Sequence, residues 1–409
     1  MIAVILLLLG AIPFILGGLL FIPSVQKYAV AKAVALGGSY LKTRVSLESL
    51  YLEPFKTLRL DGVMIYDQSQ DTLLYAETIR LDLTSFDREK QRLNIDHIGL
   101  KNVYFNLYKP ENDTLTNLQF VLDAFKSTEE DSNKTTFSVM CDEIVLEGVS
   151  FRYDDANSDY RDKGEVDFNH LLVSGLSGRV TDVAFNDSLT ANVRGLHLNE
   201  KSGFKVRCLN TAFSLSDKSM ECKELQLVTN RSVVEGEYAM YYDDFSSFSE
   251  FFTEVILAAR LENSDVNFTD IAYFSRYVNG ILTPMKISGS VYGTLAYLRG
   301  DIDYLEFARS GFFSGKVRIK GLPDPQAMLI NAKADQLAFT ASDLEMLSIP
   351  TGDGAIRISL PSQLHNMGNM VFEGSYVGFT SDFVTFGTLK SELGTLKTDI
   401  NIKTGEDKI

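Results

Sequence analysis

The chain has no tryptophan, only three cysteines and only four histidines among its 409 residues. Cys141, Cys208 and Cys222 show no C-x-x-C spacing, and no histidine stands near them in a zinc pattern. The sequence therefore predicts no metal site and no cofactor. Cys208 and Cys222 could pair in an oxidising compartment, or both could stay unpaired.

Motifs of catalysis are also missing. The chain contains no Rossmann glycine pattern, P-loop, nucleophile elbow or HExxH sequence. The glycine-rich stretches "SGSVYGT", 288–294, and "GDGA", 352–355, are interpreted as turns. The aspartate-rich stretch "YDDANSDYRD", 153–162, lacks EF-hand spacing, which favours a solvated loop over a calcium site. We single out no catalytic residue and expect the chain not to be an enzyme.

Basic residues are fewer than acidic ones. The 39 lysines and arginines against 54 aspartates and glutamates leave a net charge of −15. This sign argues against nucleic acid as a partner and against electrostatic docking on anionic lipid headgroups. With 45% hydrophobic and 23% charged residues, the composition is that of a globular protein with ample core material.

The first 22 residues contain no charge at all. As a helix they would span about 33 Å, enough to cross a bilayer core. A cleaved signal peptide is the rival interpretation, because "AVA" at 29–31 resembles a cleavage site. The length of the apolar stretch favours an uncleaved transmembrane anchor over 1–22. A juxtamembrane helix and linker over 23–43 would follow, with the helix running from Val25 to about Leu36 and ending at Gly37-Gly38.

Three stretches alternate apolar and polar residues as strands do. In each, the apolar residues stand at even-numbered positions first and at odd-numbered positions afterwards, so the parity of the apolar positions reverses once. The reversals lie at Gly62, Asn102 and Gly148, residue types that tolerate positive φ. The apolar residues that follow them are Val63, Ile65, Val103, Phe105, Leu107, Val149, Phe151 and Tyr153. A β-bulge inserts one residue and restores the facing, so we predict bulged strands whose apolar residues share one side. Ordinary strand-turn-strand joints are the alternative.

The remainder of the chain follows the same strand pattern. A first β segment is predicted over 44–125, closed by a helix at "TNLQFVLDAFK", with a polar loop at 126–136. The β pattern then continues over 137–409, with short helices near 246–278. Few helical crossovers separate the strands, so we expect antiparallel pairing.

Several longer stretches resemble one family when taken in order. They include "VSLESLYLEPFKTLRLDGVMIYDQSQDTLLYAETIRLDL", "KISGSVYGTLAYLRGDIDYLEFARSGFFSGKVRIKGLPD" and "MVFEGSYVGFTSDFVTFGTLKSELGTLKTDINI". Together with the apolar N-terminus they resemble the N-terminal part of TamB-like proteins of the AsmA-like superfamily. The basic leader and the C-terminal domain of that family have no counterpart here, so we expect a chain truncated at its C-terminus.

The resemblance implies a mainly β fold: a transmembrane helix followed by an elongated, curled antiparallel β-groove, apolar inside, with a few short helices. It also implies a single-pass protein of the bacterial inner membrane with its bulk in the periplasm. About twenty strands at about 4.8 Å each would give a groove on the order of 100 Å, too short to bridge two membranes alone.

The function implied is the shielding and conduction of phospholipid between inner and outer membrane. The eight apolar residues named above would line the groove, and Gly62, Asn102 and Gly148 would shape it. The alternative is an assembly scaffold that holds nascent outer-membrane or secreted β-barrel proteins at exposed strand edges, together with a TamA-like barrel.

Overall fold

The computed structural model describes residues 22–53, 57–87, 92–125, 138–161, 164–275, 278, 281, 283–322, 327–351, 354–379 and 382–403. The predicted anchor, apart from Ile22, and the predicted polar loop at 126–136 lie outside these residues. No helix among the described residues has the length and apolar character needed to cross a membrane. The protein is mainly β, with 62% strand and 15% helix.

The chain forms two compact units, Met1–Lys205 and Val206–Ile409. The first unit comprises α1 (Pro23–Leu41), β1 (Val45–Ser46), β2 (Ser49–Glu53), β3 (Thr57–Tyr66), β4 (Thr72–Asp87), β5 (Arg92–Lys109), α2 (Gln119–Phe125), β6 (Ser138–Asp155), β7 (His170–Phe185) and β8 (Leu189–Glu200). Helix α1 continues through Gly37 and Gly38, where the sequence predicted a break, and ends at Lys42 with φ of 54°. Helix α2 confirms the predicted closing helix.

Strands β3 to β8 pair in chain order, and β1 and β2 both pair with β3. The pairs are antiparallel except β5–β6, which is parallel and aligns Ile98 with Ile144 and Phe105 with Phe151. The prediction of antiparallel pairing is therefore wrong at β5–β6, although it holds for the other described pairs of this unit. A parallel pair needs a long crossover, and the connection between Lys109 and Ser138 supplies one through α2.

Strand β6 pairs with β5 over nearly its whole length, so both strands belong to the first unit. The boundary between the two compact units falls between residues 205 and 206. Within the first unit, no described pairing joins β8 back to β1 or β2, so the sheet stays open.

The second unit contains β9 (Lys205–Leu215), β10 (Ser219–Val228), β11 (Val233–Tyr241), α3 (Phe251–Glu254), β12 (Ile256–Val266), α4 (Phe268–Ile271), β13 (Met285–Thr294), β14 (Tyr297–Phe307), β15 (Gly311–Lys320), β16 (Leu329–Phe339), α5 (Ala341–Met346), β17 (Ser348–Thr351), β18 (Gly354–Arg357), β19 (Met370–Gly378), β20 (Asp382–Ser391) and β21 (Gly394–Lys403). In addition, 3₁₀ helices occupy Phe245–Glu250 and Ser362–Met367. Strands β9 to β16 pair in order, β16 then pairs with β19, and β17–β18 form a separate hairpin.

Two local predictions fail in this unit. Near 246–278, where short helices are predicted, α3 ends at Glu254 and β12 occupies Ile256–Val266. The stretch 288–294, predicted as a turn, lies inside β13. In both places the sheet overrides local preference, because Ala259 pairs with Tyr238 on one side and Val291 on the other.

Bulges recur on alternate strands of the second unit. The register shifts within β10, β12, β14 and β16, where one strand has an extra residue between its paired positions. Glycines of the intervening strands face these points. A Cβ atom on Gly315 of β15, for example, would lie 2.1 Å from the backbone oxygen of Lys333. Bulges increase strand twist, so this repeat curves the sheet.

Candidate functional site

The three predicted reversal points all have left-handed backbone. Gly62 has φ of 62°, Asn102 of 48° and Gly148 of 67°. The registers of β3–β4, β4–β5 and β5–β6 place Gly62, Glu77, Asn102 and Gly148 side by side across four strands. The Asn102 Nδ2 donates a hydrogen bond to the Glu77 carboxylate, which ties two of these strands together at this line.

The predicted mechanism of reversal, a β-bulge with one inserted residue, is found at only one of the three described positions. The β3–β4 and β4–β5 registers are the same on both sides of Gly62 and Asn102, so neither strand gains a residue there. At Gly148 the register with β7 does shift, and the Gly148 N–H donates to Ser177 Oγ at 2.9 Å. Left-handed residues on β3, β5 and β6 thus reverse the side-chain facing of these strands at one line. A register shift accompanies the reversal at Gly148.

Apolar residues from both sides of this line lie on one face. Val63, Ala76 and Val103 form a buried cluster. Packed against it are Leu47, Leu60, Leu74, Ile79, Leu100 and Val149, which come from before and after the reversals. We call this surface the inner face of the first unit.

The structure brings the predicted lining residues together in cross-strand rows. Phe105 pairs with Leu74 and Phe151, and the rings of Phe105 and Phe151 stack with centroids 6.0 Å apart. Val63 and Val103 are buried, at 9% and 7% exposure. The other six are half-buried: Ile65, Phe105, Leu107, Val149, Phe151 and Tyr153. The inner face therefore keeps a partly uncovered apolar surface.

The opposite face of the same strands is polar. Lys101 Nζ lies 2.9 Å from the Glu77 carboxylate, and Lys101 and Glu147 are exposed. Hydrogen bonds from Asn102 and Lys101 lower the pKa of Glu77. On the inner face, burial raises the pKa of Tyr153, with a further contribution from Asp155. The two faces thus differ sharply in polarity.

The second unit has an inner face of its own. One register row runs without a break across β9 to β19 through Phe213, Cys222, Tyr238, Ala259, Val291, Gly300, Val317, Ala332 and Tyr376. The adjacent row on the other face contains Asp301 and Lys316, which form an ion pair at 3.3 Å.

A cavity of about 440 Å³ opens on this inner face. It is lined by Met285, Val291, Leu298, Gly300, Ile302, Leu305, Phe307, Phe313, Val317, Ile319, Ile330, Ala332, Leu337 and Leu347. All of these are apolar residues or glycine, and they come from β13 to β16 and from the residue after α5. Sheet cores are normally filled by facing side chains, so an apolar concavity of this size is suited to an apolar ligand.

Two titratable groups lie in the same register row as Val291 and Val317, on β10 and β11, outside the cavity. Burial raises the pKa of Tyr238 to about 12, and the neighbouring Cys222 adds to the shift. Burial also raises the pKa of the Cys222 thiol, although a hydrogen bond involving Thr211 works against it. Both shifts show that this face disfavours charge.

None of the cavity residues is among those predicted from the sequence to line a groove. A signal was present in strict period-two alternation, as in "GKVRIK", 315–320, where Val317 and Ile319 point inward and Lys316 and Arg318 outward. In the second unit the register-shifting bulges lie on alternate strands, so the reversals are harder to recognise there.

The aspartate-rich stretch is more ordered than the predicted solvated loop. Asp155 is 6% exposed, accepts hydrogen bonds from Asn157 and lies 3.1 Å from Lys109 Nζ. Asp167, just beyond it, is 3% exposed and lies 2.9 Å from His170 Nδ1. Because these carboxylates are occupied by protein donors, they hold the β6–β7 connection in shape.

Metal ligation and disulfides do not feature in the described part. Among the described residues, no group of three or more His, Cys, Asp or Glu side chains is placed to hold a metal ion. Cys141, Cys208 and Cys222 are free thiols.

Comparison with known proteins gives no relative to argue from. The chain matches no family model, and neither a curated protein nor a solved structure matches it significantly. The function must be argued from the residues of the inner faces themselves.

Proposed function

We propose that this protein binds the acyl chains of phospholipids on its inner faces and conducts them between the inner and outer membranes of a bacterial envelope. In this proposal residues 1–22 anchor the chain in the inner membrane, the β units lie in the periplasm, and a TamA-like outer-membrane barrel is a partner. The protein is not an enzyme. The resemblance to TamB-like proteins supports this assignment.

The observation that carries the proposal is the apolar cavity of about 440 Å³ on the inner face of the second unit. Its lining contains no polar side chain. A ligand with hydrogen-bonding groups would leave them unsatisfied there, at a cost of about 1–3 kcal/mol per group. A hydrocarbon chain has no such groups.

Energetics favour transfer along a surface of this kind. Moving an acyl chain into water costs about 0.8 kcal/mol of free energy for each exposed methylene. Covering the chain with apolar side chains removes most of that barrier, while the headgroup stays in solvent. The surface supplies no direction, so net flux depends on a gradient or on an energised partner.

Site-specific photocrosslinking in cells tests the proposal. A photoreactive residue replaces Phe105, Phe151 or Val317 on the inner faces, and the purified protein is analysed by mass spectrometry for attached phospholipid. Lys101, Glu147 and Lys316 on the outer faces are the matched controls, because each lies one residue or a few from an inner-face site on a polar surface.

Phospholipid attached at the inner sites and not at the outer ones is the expected result. Equal labelling of both faces would mean nonspecific contact with membrane. Attachment of nascent barrel proteins at the inner sites, with no lipid, would overturn the proposal.

A second candidate function, an assembly scaffold, is favoured by the edge of the second unit. Among the described strands β21 pairs with β20 alone, and its Leu396, Ile400 and Ile402 are 53%, 40% and 39% exposed. An exposed strand edge with apolar side chains can add a strand from another chain. A photoreactive residue at Asn401 that captures nascent β-barrel protein, with no lipid at Val317, would favour the scaffold.

A further inference from the structure

Helix α1 (Pro23–Leu41) has two faces of different character. Ile22, just before it, has extended backbone with φ of −76° and ψ of 119°, and Pro23 follows in the first turn, so α1 begins at this point. Although the helix has 19 residues, none of them is fully buried. One face packs against β1, β2 and α2, and the opposite face is exposed.

The inward face of α1 consists mostly of small and aliphatic side chains. Half-buried residues recur every four positions in neighbouring pairs, at 25–26, 29–30, 33–34 and 37–38. This spacing is that of a single helical face. The contact with the sheet is close at Gly37, where an added Cβ atom would lie 3.7 Å from Val45 Cγ1 of β1. The inward face therefore holds α1 on the first strands of the first unit.

The outward face of α1 carries large amphipathic, apolar and basic side chains and no acidic one. Tyr28, Lys32, Leu36 and Tyr40 form one row at intervals of four residues, and Lys27 lies beside this row. Tyr28 is 68% exposed, Leu36 67% and Tyr40 54%. Within the part of the chain that the structure describes, this row is left uncovered.

The charge around α1 is opposite in sign to that of the whole chain. Residues 1–47 contain four basic side chains, Lys27, Lys32, Lys42 and Arg44, and no acidic one, whereas the whole chain has a net charge of −15. The overall sign argues against docking on anionic headgroups. However, charges in solution are screened over about 8 Å at physiological ionic strength. A surface that touches the outward face of α1 therefore meets mainly these cations.

We propose that the outward face of α1 lies in the headgroup layer of a membrane that contains anionic lipid. Tyrosines are enriched at the membrane–water interface, because the ring is apolar and its hydroxyl is polar. Lysines there keep their methylenes in the apolar layer and extend the amine to the anionic headgroups. Since the row from Tyr28 to Tyr40 runs along most of α1, the helix axis lies parallel to the membrane plane.

The membrane suits this face better than a second copy of the chain does. Two copies paired through the outward faces of α1 would bring Lys27 and Lys32 of both chains together, with no acidic side chain on the face to balance them. An anionic bilayer supplies both the counter-charge and the apolar layer. In addition, the 22 uncharged residues that form the proposed anchor immediately precede α1.

This docking would also place the inner face of the first unit beside the lipid. Leu47, between β1 and β2, packs against the buried cluster of that inner face, and α1 packs on the same two strands. The inner face therefore begins next to α1. The inference rests on the proposed function, because residues 1–22 bring α1 to the membrane, and it adds the orientation of α1 and a preference for anionic lipid.

Tryptophan fluorescence tests the inference, because the chain has no tryptophan of its own. The full chain is reconstituted in nanodiscs of phosphatidylcholine alone, or of equal parts phosphatidylcholine and phosphatidylglycerol, with brominated acyl chains that quench indole in both. Tyr40→Trp is the reporter. At about 1.5 Å per residue Tyr40 stands about 27 Å along the helix from Ile22, so a helix that rises out of the membrane would carry it away from the quencher. Tyr292→Trp is the control, since Tyr292 is 53% exposed and lies on the outer face of the second unit.

We expect the fluorescence of Tyr40→Trp to be quenched several-fold more than that of Tyr292→Trp in the nanodiscs that contain phosphatidylglycerol. In phosphatidylcholine alone the quenching of Tyr40→Trp should be weaker. High salt should reduce the difference between the two lipid compositions, because it screens the lysines.

The lysines are tested in the Tyr40→Trp background. Lys27→Gln together with Lys32→Gln should lower the ratio of docked to undocked helix roughly fivefold for each lysine, the effect of one positive charge near an anionic surface. Lys316→Gln together with Lys333→Gln is the matched control. These two lysines are exposed and face each other across β15 and β16 on the outer face of the second unit, so their loss should leave the quenching unchanged.

Other results would overturn the inference in distinguishable ways. If Tyr40→Trp were quenched no more than Tyr292→Trp, the outward face of α1 would stay in water. Equal quenching in both nanodiscs, or quenching that survives the loss of Lys27 and Lys32, would remove the preference for anionic lipid. In either case the proposed function stands if phospholipid still crosslinks at Val317.

Two further outcomes concern other occupants and the anchor. A photoreactive residue in place of Tyr28 that captured a second copy of the chain and no lipid would assign the outward face to a dimer. Failure of the full chain to enter either nanodisc would contradict the proposed anchor, and with it both proposals.

Discussion

Gly148 lies beside Asn102 across the parallel β5–β6 pair, so close that a Cβ atom on Gly148 would stand 2.6 Å from Asn102 Oδ1. Both residues have positive φ, and at both the apolar facing of the strand reverses. The reversal on one strand is therefore packed against the reversal on the next. Substitutions at these two positions should not be independent.

We expect Gly148→Ala to destabilise the protein by about 1–3 kcal/mol, from left-handed strain together with the contact to Asn102. In an Asn102→Gly background the same substitution should cost less, because the clashing side chain is gone. Chemical denaturation of the single and double variants measures the coupling. Equal costs in both backgrounds would show that the close approach is not maintained in solution.

Two glycines of the second unit, Gly315 and Gly394, separate the effect of a close backbone contact from the effect of backbone strain. Gly315→Ala places a methyl group 2.1 Å from the Lys333 backbone oxygen, where only a backbone shift relieves the clash. Gly394→Ala has a similar φ, 137° against 146°, but open space around the added methyl group. We expect Gly315→Ala to lower the free energy of unfolding by about 3 kcal/mol or more.

Gly394→Ala measures the strain alone, so its cost should be near 1 kcal/mol. Thermal or denaturant unfolding of the two variants measures both stability costs. If Gly394→Ala were as damaging as Gly315→Ala, the backbone conformation alone and not the close approach of β16 would require glycine.

Asp343 should make the rim of the second unit sensitive to acid. Burial works to raise the pKa of this carboxyl, but hydrogen bonds from Ser310 and Thr340 outweigh it and hold the pKa well below its ordinary value. Its stabilising contribution is therefore complete above about pH 4, the ordinary range for aspartate, and is lost as pH falls toward the lowered pKa. Asp343→Asn should cost about 2–3 kcal/mol at neutral pH.

The difference between wild type and Asp343→Asn should narrow in unfolding experiments below about pH 4, as the wild-type carboxyl becomes protonated. Asp301→Asn is the control, since Asp301 is exposed and forms an ion pair with the exposed Lys316. That substitution should change stability by less than about 1 kcal/mol. If the difference in unfolding free energy between Asp343→Asn and wild type stayed constant across this pH range, the ionised Asp343 carboxylate would not be the stabilising group.

A substitution that fills the apolar cavity should lower lipid capture without unfolding the protein. Gly300 lies in the cavity wall with ordinary backbone, and a Cβ atom there would meet only the flexible end of Ile302 within 3.4 Å. Gly300→Leu should therefore occupy part of the cavity and reduce phospholipid crosslinking at Val317 several-fold, while the fold is retained.

Ser290→Leu is the matched control, because Ser290 lies on the neighbouring strand and faces the other way from Val291. It should leave crosslinking unchanged. Intact-mass analysis of the crosslinked protein measures both variants. Unchanged lipid capture by Gly300→Leu would show that acyl chains do not use this cavity.

Some features of the fold could be predicted from the local sequence pattern, and others could not. Gly62, Asn102 and Gly148 could be identified from the sequence, because a parity reversal at a residue that tolerates positive φ is a local event. Helix α2 could be identified for the same reason, from its apolar spacing. The stretch after Val255 could not, since its helical spacing continued while pairing with β11 and β13 made it a strand.

By itself, the sequence determined the β class, the points where the strands of the first unit turn over, and the alternation of apolar and charged residues along each strand. These depend on φ preference and side-chain spacing within a few residues. Only the tertiary structure decided that β6 lies parallel to β5, that glycines of one strand face bulges of the next, and that the inner face of the second unit keeps an apolar cavity. Each of these depends on pairing between distant segments, which no local pattern records.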